Sequence, residues 1–216
     1  MKRVVFSLLR LILRPVFIIY HKRRLPHFTH DFEGKRAFMI SELPGGSTRW
    51  EGQRRRKANL GNTHPWNRYF NKPLKTKPKT LAEIETFLIK CKYLSDQKTR
   101  SQSDFWEPPD VFEKRRTGDC EDHAIWAWRH LDNLGYKSRL VIGKYNEWHA
   151  WVHIFVNGRA YLLEATQKCP FFPNTKSYDA YWSVERVGKK KFAFFIHDST
   201  NRDQEVDQPE FAYKWS

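Results

Sequence analysis

From Thr80 onward the apolar positions first keep a helical period and then change to a strand period. Thr80-Leu81-Ala82-Glu83 has the form of a capping box. It leads into Ile84, Phe87, Leu88 and Cys91 at helical spacing, which predicts a helix over about 81–95 with Cys91 on or near its apolar face. Pro108-Pro109 excludes a regular helix at that point. Helical spacing resumes at Cys120, with Ala124, Ala127 and Leu131 on one side and Gly135 placed to cap the C terminus. Beyond Gly135 the period becomes two. Strands are predicted over 139–145, 148–156, 159–165 and 191–197, and Asn157-Gly158 is a two-residue hairpin signal. Helices followed by antiparallel strands predict an α+β domain, with a helix packed on an antiparallel sheet.

The flanks read differently. Residues 1–24 carry apolar runs broken by Arg10 and Arg14, and Arg3, Ser7, Arg10, Arg14 and His21 fall on one stripe of a helix. Two arginines at a bilayer centre would cost about 2.5–3.5 kcal/mol each, which disfavours a simple span. The expectation is an amphipathic or membrane-anchoring helix on an anionic membrane surface, with docking on the domain's own core as the alternative. Residues 25–79 show little periodicity and many breakers, Pro44-Gly45-Gly46 among them, and are expected to be an irregular basic arm. Arg54-Arg55-Arg56-Lys57 is read as a solvated loop, and Trp50, Trp66, Tyr69 and Phe70 are expected to pin the arm to the domain. The folded domain is assigned to 80–200 and a polar tail to 201–216.

Aromatic residues make up 16% of the 216-residue chain, enough for a packed core. The net charge of +15 implies an anionic partner but says nothing about chemistry. No nucleic-acid motif accompanies it, so no specific nucleic acid is expected. The three cysteines, Cys91, Cys120 and Cys169, cannot all pair, and their spacing suits no zinc site.

The chemistry gathers around "RRTGDCEDHAIWAW" at 115–128. A two-residue turn at 157–158 pairs Val156 with Arg159, and the continued register pairs Trp151 with Glu164 and His149 with Thr166. His149, Trp151 and Glu164 then share a face, with Glu164 diagonal to His149. Cys120 at a helix N terminus meets free backbone N–H groups and the positive end of the helix dipole, which favour a thiolate. An imidazole beside it and a carboxylate behind that imidazole complete the residue types a thiol nucleophile needs. The Cys120 N–H is then an oxyanion donor. Asp119 and Asp122 are expected to cap helix N–H groups, or one of them to bind a cation. His123 lies a turn along the helix and His153 two residues further along the strand, so both rank below His149. Cys91 and Cys169 are read as structural.

"GDCEDHA", "HAWV" and "YLLEAT", with "DFWEPPDVF" before them, resemble the transglutaminase-like cysteine peptidase family of bacteria over about 80–166. The resemblance implies a papain-like core, with the nucleophile on a helix and the histidine and acid on adjacent strands. It implies a thiol-dependent acyl-transfer enzyme acting on protein or peptide through a Cys120–His149–Glu164 triad and a thioester, with no cofactor required. The family commonly has Asp where Glu164 stands. Some adhesin-clipping relatives bind calcium through acids flanking the nucleophile, which map to Asp119 and Glu121. Trp106 matches an upstream Trp, expected near the oxyanion or in packing. Water as acceptor gives a peptidase or amidase, and an amine gives a transglutaminase. A catalytically silent domain that binds peptide, anionic polymer or membrane is the alternative. Export would place the protein in the periplasm and retention on the inner face of the membrane.

Overall fold

The computed structural model describes residues 35–42, 48–52, 66–101, 105–156, 159–166 and 178–197. Residues 1–24, Arg54 to Lys57, Asn157-Gly158, Cys169 and the tail 201–216 lie outside the described residues. The chain begins with β1 (Lys35–Glu42), β2 (Thr48–Gly52), α1 (Arg68–Asn71), α2 (Leu81–Ile89), β3 (Lys92–Tyr93) and α3 (Asp96–Arg100). It continues through α4 (Pro109–Arg115), β4 (Thr117–Gly118) and α5 (Cys120–Asn133). The strands β5 (Lys137–Tyr145), β6 (Glu147–Val156), β7 (Arg159–Leu163), β8 (Asp179–Gly188) and β9 (Lys191–Ile196) complete it. Seven strands form one antiparallel sheet in the order β2-β1-β9-β8-β5-β6-β7, and β3 pairs with β4 in a small parallel sheet. The fold is α+β, with α5 packed on the antiparallel sheet.

Helix α5 is buried from Glu121 to Leu131. Ala124, Ile125, Ala127, Trp128 and Leu131 pack with Leu140 and Ile142 of β5, Ala150, Val152 and Ile154 of β6, and Phe192 and Phe194 of β9. Strand alternation sends Val141, Trp151 and Leu162 to a second, smaller cluster. The helix ends as Gly135 predicts. That residue takes φ +79°, Tyr136 N–H donates to Leu131 O and Gly135 N–H to Asp132 O, both at 3.0 Å. Those two bonds are a Schellman cap.

Trp66 is the centre of the aromatic core. It makes edge contacts with Tyr69, Trp106, Trp128, Trp182 and Phe194 at centroid distances of 5.6 to 6.2 Å. Arg129 of α5 donates to Tyr69 O at 2.7 Å and also to Lys72 O, so Trp66 and Tyr69 do fasten this stretch to the domain. Truncating a core tryptophan typically costs about 3–5 kcal/mol.

The structure departs from the predicted elements in four places. The helix expected to reach 95 ends at Ile89, because the chain beyond it joins a sheet: Lys92 N–H donates to Arg116 O and Leu94 N–H to Gly118 O, each at 2.9 Å. The Thr80 half of the capping box is present, with Glu83 N–H donating to Thr80 Oγ1 at 3.2 Å, and Glu83 Oε2 accepts from Lys79 N–H at 2.9 Å. Pro109 does not exclude a helix but begins one, at the first-turn position where a missing N–H costs nothing. The stretch read as an irregular arm contains β1 and β2, which extend the sheet beyond β9, and the breakers at 44–46 fall between those strands. Strand β8 was not expected at all.

Candidate active site

Three elements bring the site together. Cys120 is the first residue of α5, half-buried at the helix N terminus. β6 carries His149 and pairs with β7 through Val156↔Arg159 to Val152↔Leu163, the register expected from the two-residue turn. Continued one step, that register sets Glu164 across from Trp151 and diagonal to His149. His149 Nε2 and Glu164 Oε2 lie 2.7 Å apart. Cys120 lies close enough to His149 to help raise its pKa. Nε2 is committed to Glu164, which leaves Nδ1 as the ring nitrogen that can meet the sulfur.

Glu164 is fully buried, and both its oxygens are supplied with donors. Oε1 accepts from the Thr166 N–H at 3.0 Å and the Thr166 hydroxyl at 2.6 Å. Oε2 accepts from His149 and from the Tyr178 hydroxyl at 2.9 Å. Burial alone would raise its pKa, but the bonds to His149 and Thr166 outweigh it and hold the carboxyl below its usual range. Burial likewise opposes charge on His149, yet Cys120 and Glu164 beside it prevail and raise it to about 10. This environment favours an imidazolium.

The other predicted residues are placed as follows. His123 donates its Nδ1–H to the Asp119 carbonyl at 2.7 Å and is turned to the backbone; burial lowers its pKa. His153 is fully buried and accepts from Trp151 Nε1 at 3.0 Å; burial, then His197 and Arg139, hold it neutral. Trp106 sits in the aromatic core, its ring centroid 5.9 Å from that of Trp66. Cys91 is half-buried against Phe87, and burial pushes its thiol up to about 12.

The side-chain cap expected at Asp119 is absent. Asp119, the N-cap residue, makes no side-chain capping bond; its Oδ2 accepts from Asp96 N–H at 3.3 Å instead. Asp122 Oδ1 accepts from Glu107 N–H at 2.7 Å, bracing the segment after Trp106. The reason is tertiary: β3–β4 pairing and the 105–108 segment bring other backbone donors to these oxygens. Carboxylate oxygens of Asp96, Asp119 and Glu121 lie within 4.8 Å of one another, all three residues buried. Asp119 Oδ1 and Glu121 Oε1 are buried and hydrogen-bonded to nothing. Burial, with Cys120 and Asp119 next, pushes the Glu121 carboxyl well above its usual range, and the Cys120 thiol donates to Glu121 Oε2 at 3.2 Å. Converging buried oxygens with open lone pairs fit a hard divalent cation.

Asp96, Thr166 and Tyr178 belong to the site but escaped the sequence reading as contributors. Asp96 arrives through the long-range β3–β4 pairing, and Tyr178 follows a stretch without periodicity, so neither carries a local signal.

Residues 65–163 match the family model of the transglutaminase-like superfamily. This stretch is similar to the transglutaminase-like superfamily. It contains Cys120 and His149, and Glu164 follows it directly. Among solved structures, calcium-bound Legionella pneumophila LapG is similar at 20% identity, with a TM-score of 0.45 over 60% of this chain and 72% of LapG. EGTA-treated LapG from the same organism gives 19% identity and a TM-score of 0.44 over 60% and 70%. No curated protein sequence matches the chain.

Proposed function

We propose that the transglutaminase-like core is a cysteine peptidase or amidase acting on protein or peptide. The observation that carries this is the 2.7 Å contact of His149 Nε2 with buried Glu164 Oε2, set beside Cys120 at a helix N terminus. The helix dipole and the imidazolium favour a Cys120 thiolate. The thiolate adds to the substrate carbonyl carbon, and the Cys120 N–H donates to the resulting oxyanion. Collapse breaks the C–N bond, and the leaving amine takes the proton from His149. His149 then takes a proton from water, the hydroxide adds to the thioester, and the acid product leaves with the thiolate restored. Glu164 keeps the imidazole oriented and its cation stabilised throughout.

Asp96, Asp119 and Glu121 would hold a divalent cation such as calcium, which would supply positive charge to three buried carboxylates. With an amine in place of water, the same thioester gives a crosslink. The test is mass spectrometry of a cellular protein extract incubated with the wild-type protein and with Cys120→Ala. New peptide termini that require Cys120 support the reading. New isopeptide links would move it to a transglutaminase, and neither product would leave a binding domain.

A further inference from the structure

The acid behind His149 is a glutamate, and its methylene beyond that of an aspartate gives it one more torsion to fix. The Thr166 N–H and hydroxyl hold only Oε1, at 3.0 and 2.6 Å. The oxygen that meets His149, Oε2, also accepts from the Tyr178 hydroxyl at 2.9 Å. That hydroxyl is aimed by a fixed ring. Tyr178 stacks on Tyr145 of β5, centroids 4.4 Å apart and planes 14° apart, and meets buried Trp151 edge-on at 5.2 Å. Two groups therefore meet at one carboxylate oxygen, His149 of β6 and Tyr178 just before β8, and Tyr145 of β5 and Trp151 of β6 hold the Tyr178 ring.

We infer that Tyr178 is a positioning residue: its hydroxyl locks the Glu164 carboxylate against His149 and so sets the imidazole that faces Cys120. The inference rests on the triad reading above. Burial, and then the charge of Glu164, hold the phenol pKa above its ordinary value, so the hydroxyl stays a donor across the working pH range. With Thr166 alone, the carboxylate could pivot about Oε1 and withdraw Oε2. Tyr178 removes that motion. A glutamate can then stand in for the shorter acid without loss of order.

The test uses the full chain with ¹⁵N-labelled histidine. Tyr178→Phe keeps the ring and its stacking and removes only the hydroxyl. The expected result is a thermal midpoint close to wild type and a His149 Nε2–H resonance that broadens and moves toward that of free imidazole. Cys120 alkylation at fixed pH should slow on the order of tenfold, the scale of one hydrogen bond to a charged group. In a Glu164→Asp background, where the shorter arm already withdraws Oε2, Tyr178→Phe should have little further effect. If Tyr178→Phe does not fold, Tyr145→Leu carries the same test, because it removes the platform that aims the hydroxyl. A His149 resonance identical to wild type in the variant that folds overturns the inference, as does an undiminished effect in the Glu164→Asp background. A resonance that moves while wild-type Cys120 reacts no faster than an ordinary thiol would uphold positioning and sink the enzyme reading instead.

Discussion

Glu164→Gln probes the triad with almost no change of shape. The glutamine oxygen will occupy the Oε1 position, because both groups of Thr166 that face it are donors. Its NH₂ then faces His149 Nε2 and the Tyr178 oxygen, where Oε2 now accepts at 2.7 and 2.9 Å. His149 Nε2 must become an acceptor, and the one proton of the neutral ring moves to Nδ1, facing Cys120. No base remains for the thiol. Removing one partner of a buried ion pair costs about 3–5 kcal/mol. At about 1.4 kcal/mol per tenfold, the thiolate population should fall by roughly 10²–10³ or more.

The assay is the rate of Cys120 alkylation at pH 6, read by mass spectrometry. Cys91, its thiol pushed up to about 12 by burial, serves as an internal reference. A second readout is stability. His149 is raised in the fold to about 10 from an ordinary 6.5, so its charged form stabilises the fold fully below pH 6.5 and progressively less as pH climbs through 10. Glu164→Gln should flatten that alkaline decline. Alkylation within threefold of wild type, together with an unchanged alkaline limb, would refute the reasoning.

Three further outcomes follow from other parts of the structure. Gly143 pairs with His149 across β5 and β6, and a Cβ there would overlap the Asp179 carbonyl oxygen and lie 2.7 Å from Trp151, so Gly143→Ala should cost about 1–3 kcal/mol in urea melts and slow Cys120 labelling. Burial lowers His130 to about 4, so the unfolded chain takes up its proton first and stability falls as pH drops from 6.5 towards 4. His130→Gln should recover at most about 3 kcal/mol of that acid loss, measured as the midpoint of denaturation against pH. Calcium at a hundredfold excess over its Kd should stabilise the wild type by about 2.7 kcal/mol, and Asp96→Asn should lose most of this in thermal scans with and without EGTA.

Where the sequence was informative, the signal was local. Asn157-Gly158 fixes a hairpin register, and that register places Glu164 within reach of His149 without any knowledge of the rest of the fold. Thr80 and Gly135 mark helix ends through their own backbone chemistry. Where it was silent, the cause lay in distant contacts. Strand β8 has four consecutive buried residues, Tyr181 to Val184, because both its faces are covered, so the alternation that marks a half-exposed strand is missing. The destinations of Asp119 and Asp122 depend on backbone donors from Asp96 and Glu107, 23 and 15 residues upstream. Helix-end chemistry alone predicts capping by Asp119, and a tertiary donor overrides it there.

The central claim is that His149 activates Cys120, and the most direct measurement is alkylation of the wild type and His149→Ala from pH 4 to 9, with sites read by mass spectrometry. A free thiol titrates near pH 8.5, and one paired with an imidazolium can titrate several units lower. Cys120 is expected to be alkylated far faster than Cys91 in the wild type and to lose this advantage in His149→Ala, while Cys91 stays inert in both. An ordinary thiol profile for Cys120 in both proteins would contradict the claim.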